Sequence, residues 1–378
     1  MKTVILGGGR VGSAIAADLK RRGFLVLVAD LNEANLNRLK EGYGVETVRV
    51  DLREGKAVTG AIHNADIVID AVPGFLGFQT LRRVIEAGKD VVDIAFFPED
   101  PFELDPLAQE MGVTAIVDSG VAPGMSNLLV GHSAGKLDRI DRVAIYVGGL
   151  PTEPFPPYGY RATFSPVDVI EEYTRPARIV EEGRIVERPA LSDLETLEFE
   201  GVGSLEAFLT DGLRTLLQTI PTRSMVEKTL RYPGHAEKIA LLRDTGLFSE
   251  EPVEVSGNSI RPIDLTAALL FSVWRFREGE EDMTVMRITV EGETEGRPVG
   301  YTYEMFDRFD RETGTPSMAR TTGYTAAAVA AMLKEGLYRK PGISPLEKVA
   351  SDERCVEFIL SELEERGISY RDKVDYRG

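Results

Sequence analysis

Through the first third of the chain, apolar residues come in short blocks separated by amphipathic stretches. Val4-Ile5-Leu6, Leu25–Ala29 and Ile67–Ile69 are apolar at every position rather than at every second one. That density, rich in β-branched side chains, belongs to strands covered on both faces. Thr47–Asp51, Asp90–Asp93 and Thr114–Asp118 are three more blocks of strand composition. Between them, apolar positions at helical spacing predict helices from Asn32 to about Glu41, with Leu36 and Leu39 inward, and near 56–63, 79–87 and 105–111. Short strands alternating with helices predict a parallel, doubly wound α/β sheet of the Rossmann kind.

Beyond Ser126 the rhythm changes. A helix is expected over 126–135 and a strand over 143–147, followed by a proline- and aromatic-rich loop at 151–157. Strands near 178–187 and 196–199, and helices over 205–217 and 238–247, come next. Thr284–Glu291 and Val299–Phe306 alternate on either side of a turn at Gly292–Gly296, a hairpin signal. These features predict an α+β domain with a mixed or antiparallel sheet. From Arg320 the pattern is helical again, with an alanine-rich stretch at Tyr324–Leu333 and a last helix at Glu357–Arg366. The expected organisation is a dinucleotide-binding domain over 1–124, an inserted α+β domain over 125–319, and C-terminal helices over 320–378 that return to the first domain.

The glycines give the first domain its chemistry. Gly7-Gly8-Gly9-Arg10-Val11-Gly12 matches G-x-G-x-x-G, follows a strand and opens a helix. In that setting Gly7 permits the tight turn, Gly9 lets a diphosphate approach the backbone, and Gly12 lets helix and strand pack closely. Arg10 and Val11 open the helix whose N–H groups would face the phosphates. Asp30 ends the next strand, 18 residues beyond Gly12. A carboxylate there accepts from both ribose hydroxyls and repels a 2′-phosphate, which favours NAD over NADP. Arg53 is the one downstream cation expected to be able to reach such a phosphate. Asp51 is expected beside the adenine, and Val72-Pro73 beneath the nicotinamide ribose. Asp93 and Asp118 close two further strands, at the edge where ligands sit in open α/β sheets.

Composition narrows the rest. At 378 residues the chain accommodates two domains, and 43% hydrophobic with 28% charged residues is a globular composition. A net charge of −17 argues against nucleic acid or an anionic membrane as partner. The single cysteine, Cys355, permits no internal disulfide and fits a reducing cytoplasm. His63, His132 and His235 are scattered, and no zinc pattern occurs. No apolar run is long enough for a membrane span, and the first strand starts too close to Met1 for a signal peptide.

The glycine segment, Asp118-Ser119-Gly120-Val121-Ala122-Pro123-Gly124-Met125-Ser126-Asn127 and Met318-Ala319-Arg320-Thr321-Thr322-Gly323-Tyr324 together resemble the saccharopine dehydrogenase-like family. Glu206–Gly212 and Glu227-Lys228-Thr229-Leu230-Arg231-Tyr232-Pro233-Gly234-His235 resemble its lysine 6-dehydrogenase branch. The resemblance implies a Rossmann domain, an inserted substrate and dimerisation domain, and a homodimer. It also implies NAD-dependent oxidation of the ε-amine of L-lysine, releasing ammonia and an aldehyde that cyclises.

That chemistry makes demands on the residues. A lysine amine, with an ordinary pKa of ~10.4, must lose a proton before hydride can leave. Asp93, Asp118 and His235 are the candidate bases. The amino acid's α-carboxylate calls for a guanidinium fork, with Arg231 first, then Arg223 and Arg320, and Lys228 behind them. Tyr232 is a candidate hydrogen-bond partner, and Phe96, Phe97 and Tyr158 are candidate walls for the aliphatic stem. Two alternatives stand beside this reading: a reductase of the same family that joins an aldehyde to an amine, and an NAD-binding protein without turnover.

Overall fold

The computed structural model describes residues 1–163, 166–277 and 279–376, which divide into two compact units. The first comprises Met1–Asp138, Arg214–Ile220 and Ala319–Tyr370. Its opening elements are β1 (Lys2–Leu6), α1 (Arg10–Arg21), β2 (Leu25–Asp30), α2 (Glu33–Tyr43), β3 (Glu46–Arg49), α3 (Gly55–Ile62), β4 (Ile67–Asp70), α4 (Gly74–Glu86), β5 (Asp90–Asp93), α5 (Asp105–Glu110), β6 (Thr114–Ile116) and α6 (Met125–Ala134). The sheet runs in the order Gly342–Ile343, β6, β5, β4, β1, β2, β3, with every pairing parallel. This is the expected Rossmann sheet. Val4, Leu6, Val68 and Val91 are fully enclosed in one core cluster, which is why these strands lack alternation. Helix α4 begins at Gly74, directly after Pro73 and five residues before the expected start.

The second unit comprises Arg139–Leu213, Pro221–Met318 and Arg371–Gly378. The chain continues through β7 (Arg139–Pro151), α7 (Pro166–Thr174), β8 (Ala177–Glu181), β9 (Arg184–Arg188), β10 (Glu195–Phe199), β11 (Gly203–Leu209), α8 (Leu216–Thr219), β12 (Ser224–Arg231), α9 (His235–Asp244), β13 (Val253–Val255), β14 (Asn258–Ile260), α10 (Pro262–Trp274), β15 (Asp282–Thr294), β16 (Arg297–Arg308), α11 (Ser317–Lys334), β17 (Gly342–Ile343), α12 (Leu346–Val349), α13 (Glu353–Glu364) and β18 (Arg371–Tyr376). The large sheet of this unit runs β10-β11-β12-β7-β15-β16-β18, with β8 and β9 attached to β12. It is mixed, since β12 runs parallel to β7 and antiparallel to β11.

Three expectations fail in detail. Leu205–Leu217, expected helical, is strand β11 followed by a turn and the short α8, because Leu205 and Ala207 pair with Leu197 and Glu195 of β10. Pairing partners far off in sequence override local preference there. Residues 214–220 and helix α6 fall in the first unit rather than in the inserted segment. The tail also differs: α11 packs on α1, where a Cβ on Gly323 would lie 3.1 Å from Ile15, but β18 pairs along β16 of the other sheet. Among the described residues, no helix is long and apolar enough to cross a membrane.

Candidate active site

The glycine turn is shaped by close approach. Gly7 sits at φ +106°, and a Cβ there would lie 2.4 Å from Ala71 O. A Cβ on Gly12 would lie 2.0 Å from Gly7 O, so helix and turn meet only without one. Gly9 is different: a Cβ there would meet no described atom within 4 Å. The chain's own packing does not demand glycine at that position, and the backbone there is open to approach by a ligand such as a diphosphate. No acid sits in the first turn of α1, so its positive end is uncompensated. Arg10 and Val11 form that turn.

Asp30 is fixed by two backbone donors, Gly8 N at 2.6 Å on one oxygen and Asn32 N at 2.6 Å on the other. The carboxylate thereby ties the end of β2 to the glycine turn. Asp51 and Arg53 hold each other, Nε to Oδ1 at 2.9 Å and a terminal nitrogen to Oδ2 at 2.6 Å. Arg53 thus keeps the Asp51 carboxyl down near 2, and its largely exposed guanidinium is paired with that carboxylate. Val72 and Pro73 lie where β4 turns into α4, with Val72 buried and its N–H on Asp70 at 3.3 Å. The turn therefore fits a dinucleotide.

Three acids collect at neighbouring strand ends. Asp70 closes β4 and Asp93 closes β5, and the two are register partners. Asp118 follows β6; all three are 2% exposed or less. Asp118 adopts φ +52° and faces Arg214 at φ +49°, both in the left-handed region that ordinary side chains avoid. Arg214 Nε contacts both oxygens of Asp118, at 3.1 and 3.3 Å, and its guanidinium lies 4.9 Å from the Phe97 ring centre and 5.2 Å from that of Phe96. It also donates to Phe97 O. Burial pushes the Asp70 carboxyl up to about 8. Burial raises Asp93 well above the carboxylate range, reinforced by the charges of Asp70 and Asp118 and opposed by Arg214.

The expected aromatic walls Phe96 and Phe97 are here, stacked on a cation. Asp70 and Arg214 were missed from the sequence. Asp70 carried a readable signal, since β2, β4 and β5 all end in aspartate. Arg214 carried none, because it comes 96 residues after its partner.

Several candidates lie in the second unit. Arg231 is 1% exposed, and each of its nitrogens is taken: Nε by Tyr173 Oη at 3.3 Å, the others by Leu230 O at 2.9 Å and Glu172 at 2.6 Å. Its guanidinium stacks 4.5 Å above Tyr160. His235 Nδ1 donates to Tyr158 O at 2.9 Å, so Nε2 accepts from Tyr173 Oη at 2.9 Å. Burial and the neighbouring Arg231 charge push His235 down to about 3. It is a neutral core histidine with both nitrogens committed, not an available base. Tyr158 contributes its carbonyl and an edge contact to Trp274 rather than a wall for substrate. Tyr232 Oη donates to Pro151 O at 3.0 Å. Lys228 is held by Asp193 and Glu195. Arg223 forms an exposed pair with Glu182 at 2.9 Å, a surface contact. In the first unit, Arg320 donates to Arg366 O.

The fold and the strand-end site define an α/β oxidoreductase with a nicotinamide-dinucleotide unit. The chain belongs to the saccharopine dehydrogenase family. The model of the saccharopine dehydrogenase NADP binding domain matches residues 3–116, and that of the saccharopine dehydrogenase C-terminal domain matches 120–368. A carboxyaminopropylagmatine dehydrogenase of Synechocystis sp. is 22% identical over 99% of this chain and 98% of its own length. The NADP(+), L-glutamate-forming saccharopine dehydrogenase of Saccharomyces cerevisiae is 24% identical over 68% of this chain, which spans 60% of that protein. The solved apo saccharopine dehydrogenase (L-Glu forming) from the same yeast shares the fold, with a TM-score of 0.81 at 19% identity and 99% of each chain covered.

Proposed function

We propose that the chain oxidises the ε-amine of L-lysine, or of a close relative, with NAD. The products are ammonia and a semialdehyde that cyclises. The observation that carries this reading is Asp93. Of the three bases the sequence offers, it alone keeps a buried carboxylate oxygen, Oδ2, without a hydrogen-bond partner among the described residues. Asp118 is paired to Arg214 and His235 is closed off. Bound on the glycine turn by Gly7, Gly9 and Gly12, with Asp30 toward the ribose, the dinucleotide would supply the hydride acceptor. Asp93 Oδ2 takes the proton from the ammonium, freeing the nitrogen lone pair, releases it to solvent, and then takes one from the water that adds to the imine. Arg214 holds Asp118 in place beside it.

Asp30 supports NAD, since its charge opposes a 2′-phosphate and Arg53 is already paired to Asp51. Asp30→Ala is expected to narrow the preference for NAD over NADP, read as a ratio of kcat/KM values. An unchanged ratio removes Asp30 from the assignment.

A second reading is reductive coupling of an aldehyde and an amine by a reductase of the same family. The raised Asp93 favours it, because a protonated carboxyl is the acid that reaction needs. A panel of amines with NAD and NADP, followed by absorbance of the reduced cofactor, separates the readings. Lysine turnover supports the first, turnover of secondary amines alone supports the second, and binding without turnover leaves a non-catalytic dinucleotide protein.

Homodimer assembly is part of the proposal. Helix α10 buries Thr266, Leu270 and Trp274 yet carries a second apolar stripe, with Leu265 52% and Leu269 62% exposed. Light scattering of Leu269→Lys is expected to show monomers where the wild type shows dimers.

A further inference from the structure

We propose that Asp70 and Asp93 act as one proton-sharing pair, with Asp70 the positioning residue that decides where Asp93 holds its proton. The kinetic side of this rests on the proposed amine oxidation; the structural side does not. Strands β4 and β5 end level, and in a parallel ladder register partners project to the same face about 5 Å apart. The two acids make the same local bond. Asp70 Oδ1 accepts from Val72 N at 3.3 Å, and Asp93 Oδ1 accepts from Ala95 N at 3.2 Å. This leaves Oδ2 of each without a hydrogen-bond partner among the described residues, although both residues are 0% exposed.

Two buried acceptors side by side are costly, and two buried negative charges are costlier. One proton held between the pair turns both oxygens into a donor and an acceptor and halves the charge. The charged groups facing Asp93 are Asp70, Asp118 and Arg214, and the guanidinium is ion-paired with Asp118 at 3.0 Å. On the far side of β4 the register partner of Asp70 is Leu6, which is apolar. A pair carrying one proton and one negative charge accepts the ammonium proton and becomes neutral. It returns to one proton when that proton leaves to solvent, so the balance closes without a further reactant.

Two measurements test the pair. Infrared difference spectra at neutral pH are expected to show a protonated-carboxyl C=O band that shifts in both Asp93→Asn and Asp70→Asn and persists in Asp118→Asn. In kinetics, Asp70→Asn removes a neighbouring negative charge, so the acidic limb of kcat/KM is expected to move to lower pH by about one unit. A merely structural Asp70 would lower the rate without moving the limb. A wild-type spectrum with no such band, or a band untouched by both Asp93→Asn and Asp70→Asn, overturns the pair. If Asp70→Asn fails to fold, the wild-type and Asp93→Asn spectra still decide it. A band present without turnover of any amine keeps the pair and sinks the proposed function; turnover without the band does the reverse.

Discussion

Each unit buries a group of ionisable side chains, and the two groups are finished differently. In the second unit, every side-chain nitrogen of Arg231 and His235 has a partner and the bonds run in one direction. Arg231 donates to Tyr173, Tyr173 to His235, and His235 to the Tyr158 carbonyl. Polar atoms there without a hydrogen-bond partner among the described residues, such as Tyr160 Oη and Trp274 Nε1, are neutral. At the strand ends of the first unit, Asp70 and Asp93 each keep a carboxylate oxygen unsatisfied, and Asp118 and Arg214 sit in strained backbone conformations. A saturated buried network specifies a core. An unsaturated one costs stability and is retained where chemistry uses the free valence. The residue types alone left Asp93, Asp118 and His235 standing together as candidate bases, and only their surroundings separate them.

The sharpest way to break this contrast is Asp93→Asn. It is expected to cut amine oxidation by about 10²–10⁴-fold with dinucleotide affinity unchanged, measured by steady-state kinetics and calorimetry. His235→Gln is expected to leave kcat within a few-fold of the wild type, and a loss as large as that of Asp93→Asn would reverse the two roles.

Arg231→Ala is next. Breaking its buried pair with Glu172 is expected to cost about 3–5 kcal/mol in urea unfolding, with no selective rise in the Michaelis constant for the amino acid. A rise in that constant at unchanged stability would restore Arg231 as a substrate ligand.

The pH dependence of stability should then separate the regions by sign. Asp70 is raised from 3.8 to about 8, so the folded state holds the extra proton, and its contribution is lost as pH climbs through that window. His235 is lowered from 6.5 to about 3, so its contribution is present above 6.5 and lost as pH falls. Denaturation midpoints across pH 5–8 should flatten on the alkaline side in Asp70→Asn and on the acid side in His235→Gln. The smallest effect belongs to Arg223→Ala, whose solvent-exposed pair with Glu182 is expected to leave the urea midpoint unchanged.

Much of the first unit could be read directly from the chain. Apolar blocks, glycines and strand-ending aspartates are local signals, so β1 through β6, the dinucleotide turn and Asp30, Asp93 and Asp118 all followed from them. Strand β11 and the edge strand β18 did not, because their conformations are set by partners far away in sequence.

Neighbouring residues and their spacing thus determined the Rossmann order, the cradle at Gly7–Gly12 and the acids at the strand ends. Tertiary structure alone decided which ionisable groups are free. Arg231 was closed by Glu172, His235 by Tyr173, and Asp118 by Arg214, while Asp70 was set beside Asp93. A side chain's proton affinity and availability depend on what surrounds it, and those surroundings are assembled from segments up to about a hundred residues apart.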